Sequence, residues 1–168
     1  MKKVLLAACL AVGCLTACDK DDDNDVNSTD QTFVMKASLS NTAEVMAGQL
    51  AASRGSSAAV RSFGQMMVDE HTMAQANLRT AGTAVGMSVR DTVDPDHQAL
   101  MMRLNGLSGR SFDTAYMNSQ VRDHTVTLAN FQNEINNGNH PTIRNYATQN
   151  APHIQMHLQK ADSISRTL

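Results

Sequence analysis

Residues 57–85 read SAAVRSFGQMMVDEHTMAQANLRTAGTAV, and this stretch decides the fold. Val60, Phe63, Met67, His71, Ala74, Leu78 and Ala81 recur at steps of three and four, which lines them up on one face of an α-helix. Gly55 ends whatever helix precedes it, and Ser56 or Ser57 caps its start. The same spacing returns in three other segments. The first runs from Asp30, a good cap, to Arg54, with Phe33, Ala37, Ser40, Glu44, Ala47 and Ala51 in line. The third starts near Ser111 and carries Thr114, Met117, Val121, His124, Leu128, Phe131 and Ile135 before Gly138. The fourth opens at Pro141 and carries Ile143, Ala147, Asn150, Ile154, His157, Ala161, Ile164 and Leu168. Pro152 inside it removes a backbone donor, which predicts a kink or a split. Proline is otherwise rare and no alternating strand pattern occurs, so the chain is expected to be all-α.

Short turns join the first segment to the second and the third to the fourth, whereas 25 residues, Gly86 to Arg110, separate the middle pair. That is long for a loop, and Asp96 to Leu104 has the makings of a short helix within it. One long crossover between two tight hairpins is the connectivity of a ferritin-like four-helix bundle, here over residues 31–168. The second and third segments also echo each other. Val68-Asp69-Glu70-His71-Thr72 aligns with Val121-Arg122-Asp123-His124-Thr125, and parallel helices would bring His71 and His124 to one level.

Every stripe has a polar residue near its middle: Glu44, His71, His124 and His157. A buried carboxylate or imidazole costs several kcal/mol unless it is paired or ligates a metal. Four of them, one per helix, would converge in the core as bundle metal sites do, and the donor types suit zinc, iron or copper. Glu70, Asp123, Asp69 and His153 lie where they could orient the ligands, and His153 with His157 forms an i,i+4 pair. The same four residues could instead form a Glu-His hydrogen-bond network that holds no ion. Met66, Met67, Met101, Met102, Met117 and Met156 read as core filler, and His97 and His140 as solvated loop residues. Phe112-Asp113-x-x-Tyr116 is expected to anchor the third segment by hydrogen bonding. No Gly-rich phosphate loop, CxxC, HExxH or nucleophile signature occurs, which points away from a conventional enzyme.

The start of the chain is expected to be a secretory signal. Lys2 and Lys3 precede an apolar run, Val4 to Leu15, shorter than the roughly 20 residues that span a bilayer. Leu15-Thr16-Ala17-Cys18 has the lipobox order, which predicts loss of residues 1–17 and a lipid anchor on Cys18. Cys14 is a poorer match, because Ala11 stands where an aliphatic residue is preferred. The expected product is a bacterial cell-envelope lipoprotein, in the outer membrane on its periplasmic or surface face. The three cysteines, Cys9, Cys14 and Cys18, all lie here, so the remainder has no disulfide, thiolate nucleophile or cysteine ligand. Residues 18–30 hold six aspartates and read as a solvated tether. Beyond them eleven basic residues face ten acidic ones, with no tryptophan, which offers no footprint for nucleic acid.

Several segments together resemble an uncharacterised family of bacterial exported proteins. They are Ala43-Glu44-Val45-x-x-Gly48-Gln49-Leu50-Ala51, Val60-Arg61-x-Phe63-Gly64-Gln65-x-Met67-Val68, His71-Thr72, Leu107-Ser108-Gly109-x-x-Phe112-Asp113-x-x-Tyr116, Asp123-His124 and His157-Leu158-x-x-Ala161. The resemblance implies a ferritin-like fold and an envelope location, and no reaction. Di-iron bundles use Glu-x-x-His on two helices, but Val68, Val121 and Ile154 precede His71, His124 and His157 by three. One glutamate and three histidines form a carboxylate-poor set, which argues against ferroxidase chemistry. Three readings stand. The first is a binding or stress-associated envelope protein holding a metal through Glu44, His71, His124 and His157. The second is a structural or interaction module, and the third a metal-dependent oxidoreductase.

Overall fold

The computed structural model describes residues 25–168; the expected signal segment, Cys18 and most of the acidic run lie outside them. Five helices follow in order: α1 (Ser28–Arg54), α2 (Ala58–Ala84), α3 (Pro95–Asn105), α4 (Gly109–Asn137) and α5 (Pro141–Ser165). No strand occurs among the described residues. The four long helices form a closed square in which α1 packs on α2 and α4, and α5 packs on α4 and α2. The diagonal pair α2 and α4 runs parallel, as the long crossover allows. Contacts descend α4 while they climb α1, from Phe33 on Phe131 through Ser40 on Thr127 to Glu44 on Gln120. The short helix expected at 96–104 is α3, which lies against α1 and α4.

Helix α1 begins before the expected cap. Asn27 caps it, accepting from the Asp30 backbone N–H at 2.9 Å, while Asp30 accepts from the Asn27 N–H at 2.8 Å in a reciprocal capping box. Asp30 is fully buried, so residues 27–30 belong to the folded body and not to the tether. Its carboxylate also receives the backbone N–H groups of Asn139 and His140 at 3.2 Å, tying the α4–α5 turn to the start of α1. His140 is therefore no solvated loop residue: it caps α5, its Nδ1 accepting from Thr142 N. His97 likewise sits in α3, its ring on Asp94 at 2.8 Å. Asp113 performs the anchoring expected of it, but across helices, accepting from the Ser56 and Ser57 N–H groups at the head of α2. The Tyr116 hydroxyl has no partner among the described residues.

Pro152 does not split α5, which runs unbroken through it. Pro152 and Thr148, whose carbonyl loses its donor, both face solvent, and water can take that place. The α1–α2 seam is tight. A Cβ on Gly48 would stand 2.7 Å from the Gly64 carbonyl, and one on Gly64 equally close to the Ala52 nitrogen. Two apolar clusters fill the bundle. One holds Phe63, Met67, Leu104, Phe112 and Met117, and the other Phe33, Leu78, Phe131, Ile143 and Ile154. Of the methionines expected inside, Met67, Met101 and Met117 are buried, whereas Met102 and Met156 lie on outward faces of α3 and α5, at 71% and 41% exposure.

Candidate metal centre

Between the two apolar clusters lies a polar layer of Asn41, Glu44, His71, Gln75, Gln120, His124 and His157, all buried. Each of these residues arrives by helical register. Asn41 and Glu44 are one turn apart on α1, Gln120 and His124 one turn apart on α4, and His71 and His157 continue the stripes of α2 and α5. The three imidazoles meet across the bundle with ring centroids 5.3–5.7 Å apart. One nitrogen of each lies within 4.8 Å of one nitrogen of the other two.

The outer nitrogen of every ring is bound. His71 Nδ1 is 2.9 Å from Asn41 Oδ1, His124 Nδ1 is 2.9 Å from the Gln120 carbonyl, and His157 Nε2 is 2.9 Å from a Glu70 oxygen. A carbonyl and a carboxylate only accept, so His124 and His157 donate there. The Asn41 amide is oriented by its other contacts. Its nitrogen donates to Gln75 Oε1 and to the Tyr146 hydroxyl, which itself donates to the Ala74 carbonyl. Asn41 Oδ1 is thus an acceptor, and His71 donates as well. The three tautomers are fixed, and His71 Nε2, His124 Nε2 and His157 Nδ1 are left as bare lone pairs. These atoms are buried and have no partner among the described residues.

Electrostatics keep the rings neutral. Burial and the two neighbouring rings hold His71 well below the usual imidazole range, and burial brings His124 and His157 down to about 4. Neutral imidazole is the form that ligates metals. Burial pushes Glu44 up to about 7, against the opposing hydrogen bond from Gln120.

The structure brings together three of the four core residues predicted as ligands. Glu44 stands outside the group: it accepts from Gln120 Nε2 at 2.7 Å, and its other oxygen is 3.7 Å from His124 Nδ1, the bound nitrogen. The Glu70 carboxylate accepts from His157 at 2.9 Å, and His153 reaches the same Glu70 oxygen at 3.4 Å. Asp123 turns outward to Arg122 at 2.9 Å, and Asp69 takes the Gln65 amide. Asn41 and Gln120 went unrecognised in the sequence. Their one signal is polarity on an inward register, three residues before Glu44 and four before His124.

Three imidazoles in fixed tautomers are a donor set for a transition ion. Zinc–nitrogen distances of about 2.0–2.1 Å put tetrahedral nitrogens about 3.3 Å apart, so the rings would close in by up to about 1.5 Å on binding. A fourth position would remain for water or substrate.

Residues 16–164 match the family described as domain of unknown function (DUF4142), and the chain belongs to that family. No curated protein matches it. Among solved structures it is similar to the crystal structure of a DUF305 fragment from Deinococcus radiodurans. The TM-score is 0.75 at 12% identity, covering 86% of this chain and 99% of the other. At that identity the likeness speaks for the helical fold alone.

Proposed function

We propose that this protein is a lipid-anchored cell-envelope protein whose ferritin-like four-helix bundle holds a transition-metal ion on His71, His124 and His157. One observation carries the metal reading: three buried rings, each fixed by a bond to its outer nitrogen, turn three unpartnered lone pairs toward one another. A network that served only to specify the core would spend both nitrogens of each ring on hydrogen bonds. The absence of a carboxylate among the three favours zinc or copper over iron, with Glu70 and Glu44 one step out to offset the ion's charge. Two tight hairpins and a long crossover between parallel α2 and α4 support the ferritin-like assignment. The anchor rests on Leu15-Thr16-Ala17-Cys18, and the acidic run after it supports a tether that holds the bundle off the membrane.

Elemental analysis of protein purified without chelator or affinity tag tests the metal reading, with a His71→Ala, His124→Ala double variant beside it. Near-stoichiometric metal that the double variant loses is expected. Protein that stays metal-free after incubation with zinc, iron and copper would leave the histidines as core residues of a structural module. The anchor predicts incorporation of labelled fatty acid in cells, abolished by Cys18→Ser.

A further inference from the structure

The three rings are not held alike. His71 is anchored on Asn41, inside the bundle, and His124 on a buried backbone carbonyl of its own helix. His157 alone is anchored on a side chain that reaches solvent: its own side chain is 2% exposed, that of Glu70 35%, and that of His153 61%. The same Glu70 oxygen, Oε2, is 2.9 Å from His157 and 3.4 Å from His153. One carboxylate thus joins a buried ring to an exposed one across the α2–α5 seam. A cavity of about 670 Å³ opens between α1, α3 and α4 beside Ser40 and Thr127, but none of the three histidines lines it. Packed side chains fill the bundle on either side of the polar layer, the α1–α2 seam closes on Gly48 and Gly64, and Gln120–Glu44 and Ser40–Thr127 bonds bridge α1 to α4.

We propose that the α2–α5 seam is the loading port of the centre, with Glu70 and His153 as a capture pair that takes a divalent transition-metal ion from solvent and passes it to His157. The inference rests on the metal reading above. A carboxylate oxygen and an imidazole nitrogen offer an arriving ion two donors, with water completing its shell, which holds it weakly enough to leave again. An ion on Glu70 also competes for the oxygen that accepts from His157. Capture therefore loosens the His157 ring, and the rings must move to close around the ion.

Cobalt(II), followed by its visible absorption in stopped flow, tests the port on wild-type protein and a His153→Gln variant. His153 is exposed, so its replacement leaves the core packing intact. A port accelerates both directions alike. Uptake, and release into excess chelator, are expected to slow by a common factor of about tenfold, with Kd and one-to-one stoichiometry unchanged. Glu70→Gln, which keeps an acceptor for His157 but removes the charge, is expected to slow uptake as well. Unchanged rates in His153→Gln would overturn the port and leave the metal centre standing. A lower affinity with unchanged uptake would overturn it too, making His153 a ligand. Wild-type protein that takes up no cobalt would overturn both readings together.

Discussion

Two buried polar clusters lie in this bundle, and their groups are satisfied in opposite ways. At one end, Asp30 collects backbone N–H groups from Asn27, Asn139 and His140, so that donors converge on one carboxylate. Glu134, buried beside it with no donor facing its oxygens, is pushed up to about 8 by burial and by the Asp30 carboxylate, and so carries a proton at neutral pH. Everything there serves to tie α1, α4 and α5 together. At the waist the donors point outward, and what converges is unused lone pairs. A structural cluster neutralises its own acceptors, whereas a ligand site preserves them. That difference, more than the burial of histidine itself, supports the proposed ion site at the waist.

The largest test of the contrast is metal-linked stability. Zinc or cobalt at about a thousandfold over Kd should stabilise the wild type by about 4 kcal/mol. His157→Leu should abolish that gain yet leave metal-free stability within about 1 kcal/mol, since it removes a ring whose partner Glu70 reaches solvent. Calorimetry with and without metal reads both. Asp30→Ala should do the reverse, costing about 3 kcal/mol in urea unfolding by orphaning buried backbone donors, with metal affinity unchanged. A chain begun at Gln31 should show the same loss. Asn41→Leu removes the acceptor that fixes the His71 tautomer and should weaken zinc binding 10–100-fold by competition titration, a loss of about 1.4–2.7 kcal/mol. An effect of similar size is a pH dependence. Glu134 binds its proton more tightly folded than unfolded, so its contribution is complete below about pH 4.5 and is lost as pH rises through about 8. It should be on the order of 2 kcal/mol after solvent screening, and Glu134→Gln should flatten that part of the stability–pH curve.

The helices, the crossover with its short α3, and the burial of Glu44, His71, His124 and His157 were legible in the sequence, because burial and 3.6-residue periodicity leave a pattern along one chain. The outer bonds were not. Asn41 and Gln120 act across helices or through a backbone carbonyl, and nothing in local spacing tells an inward amide from an outward one. Glu44 shows the limit from the other side. It keeps the register of a ligand, yet Gln120 draws its carboxylate to the outer side of His124. Asp30 was misread for a related reason. A lone aspartate after an acidic run looks solvated until the α4–α5 turn, more than a hundred residues away, folds over it.

The glycine contact between α1 and α2 reaches further than packing. Gly64 lies two turns from His71 along α2, and Gly48 one turn from Glu44 along α1. The spacing of these two helices therefore sets how deeply one imidazole projects into a triangle whose other corners stand on α4 and α5. A methyl group at either glycine would wedge the hairpin open and widen that triangle. In the proposed centre, selectivity among ions of different radius would in this sense be a tolerance machined into two residues that never touch the ion.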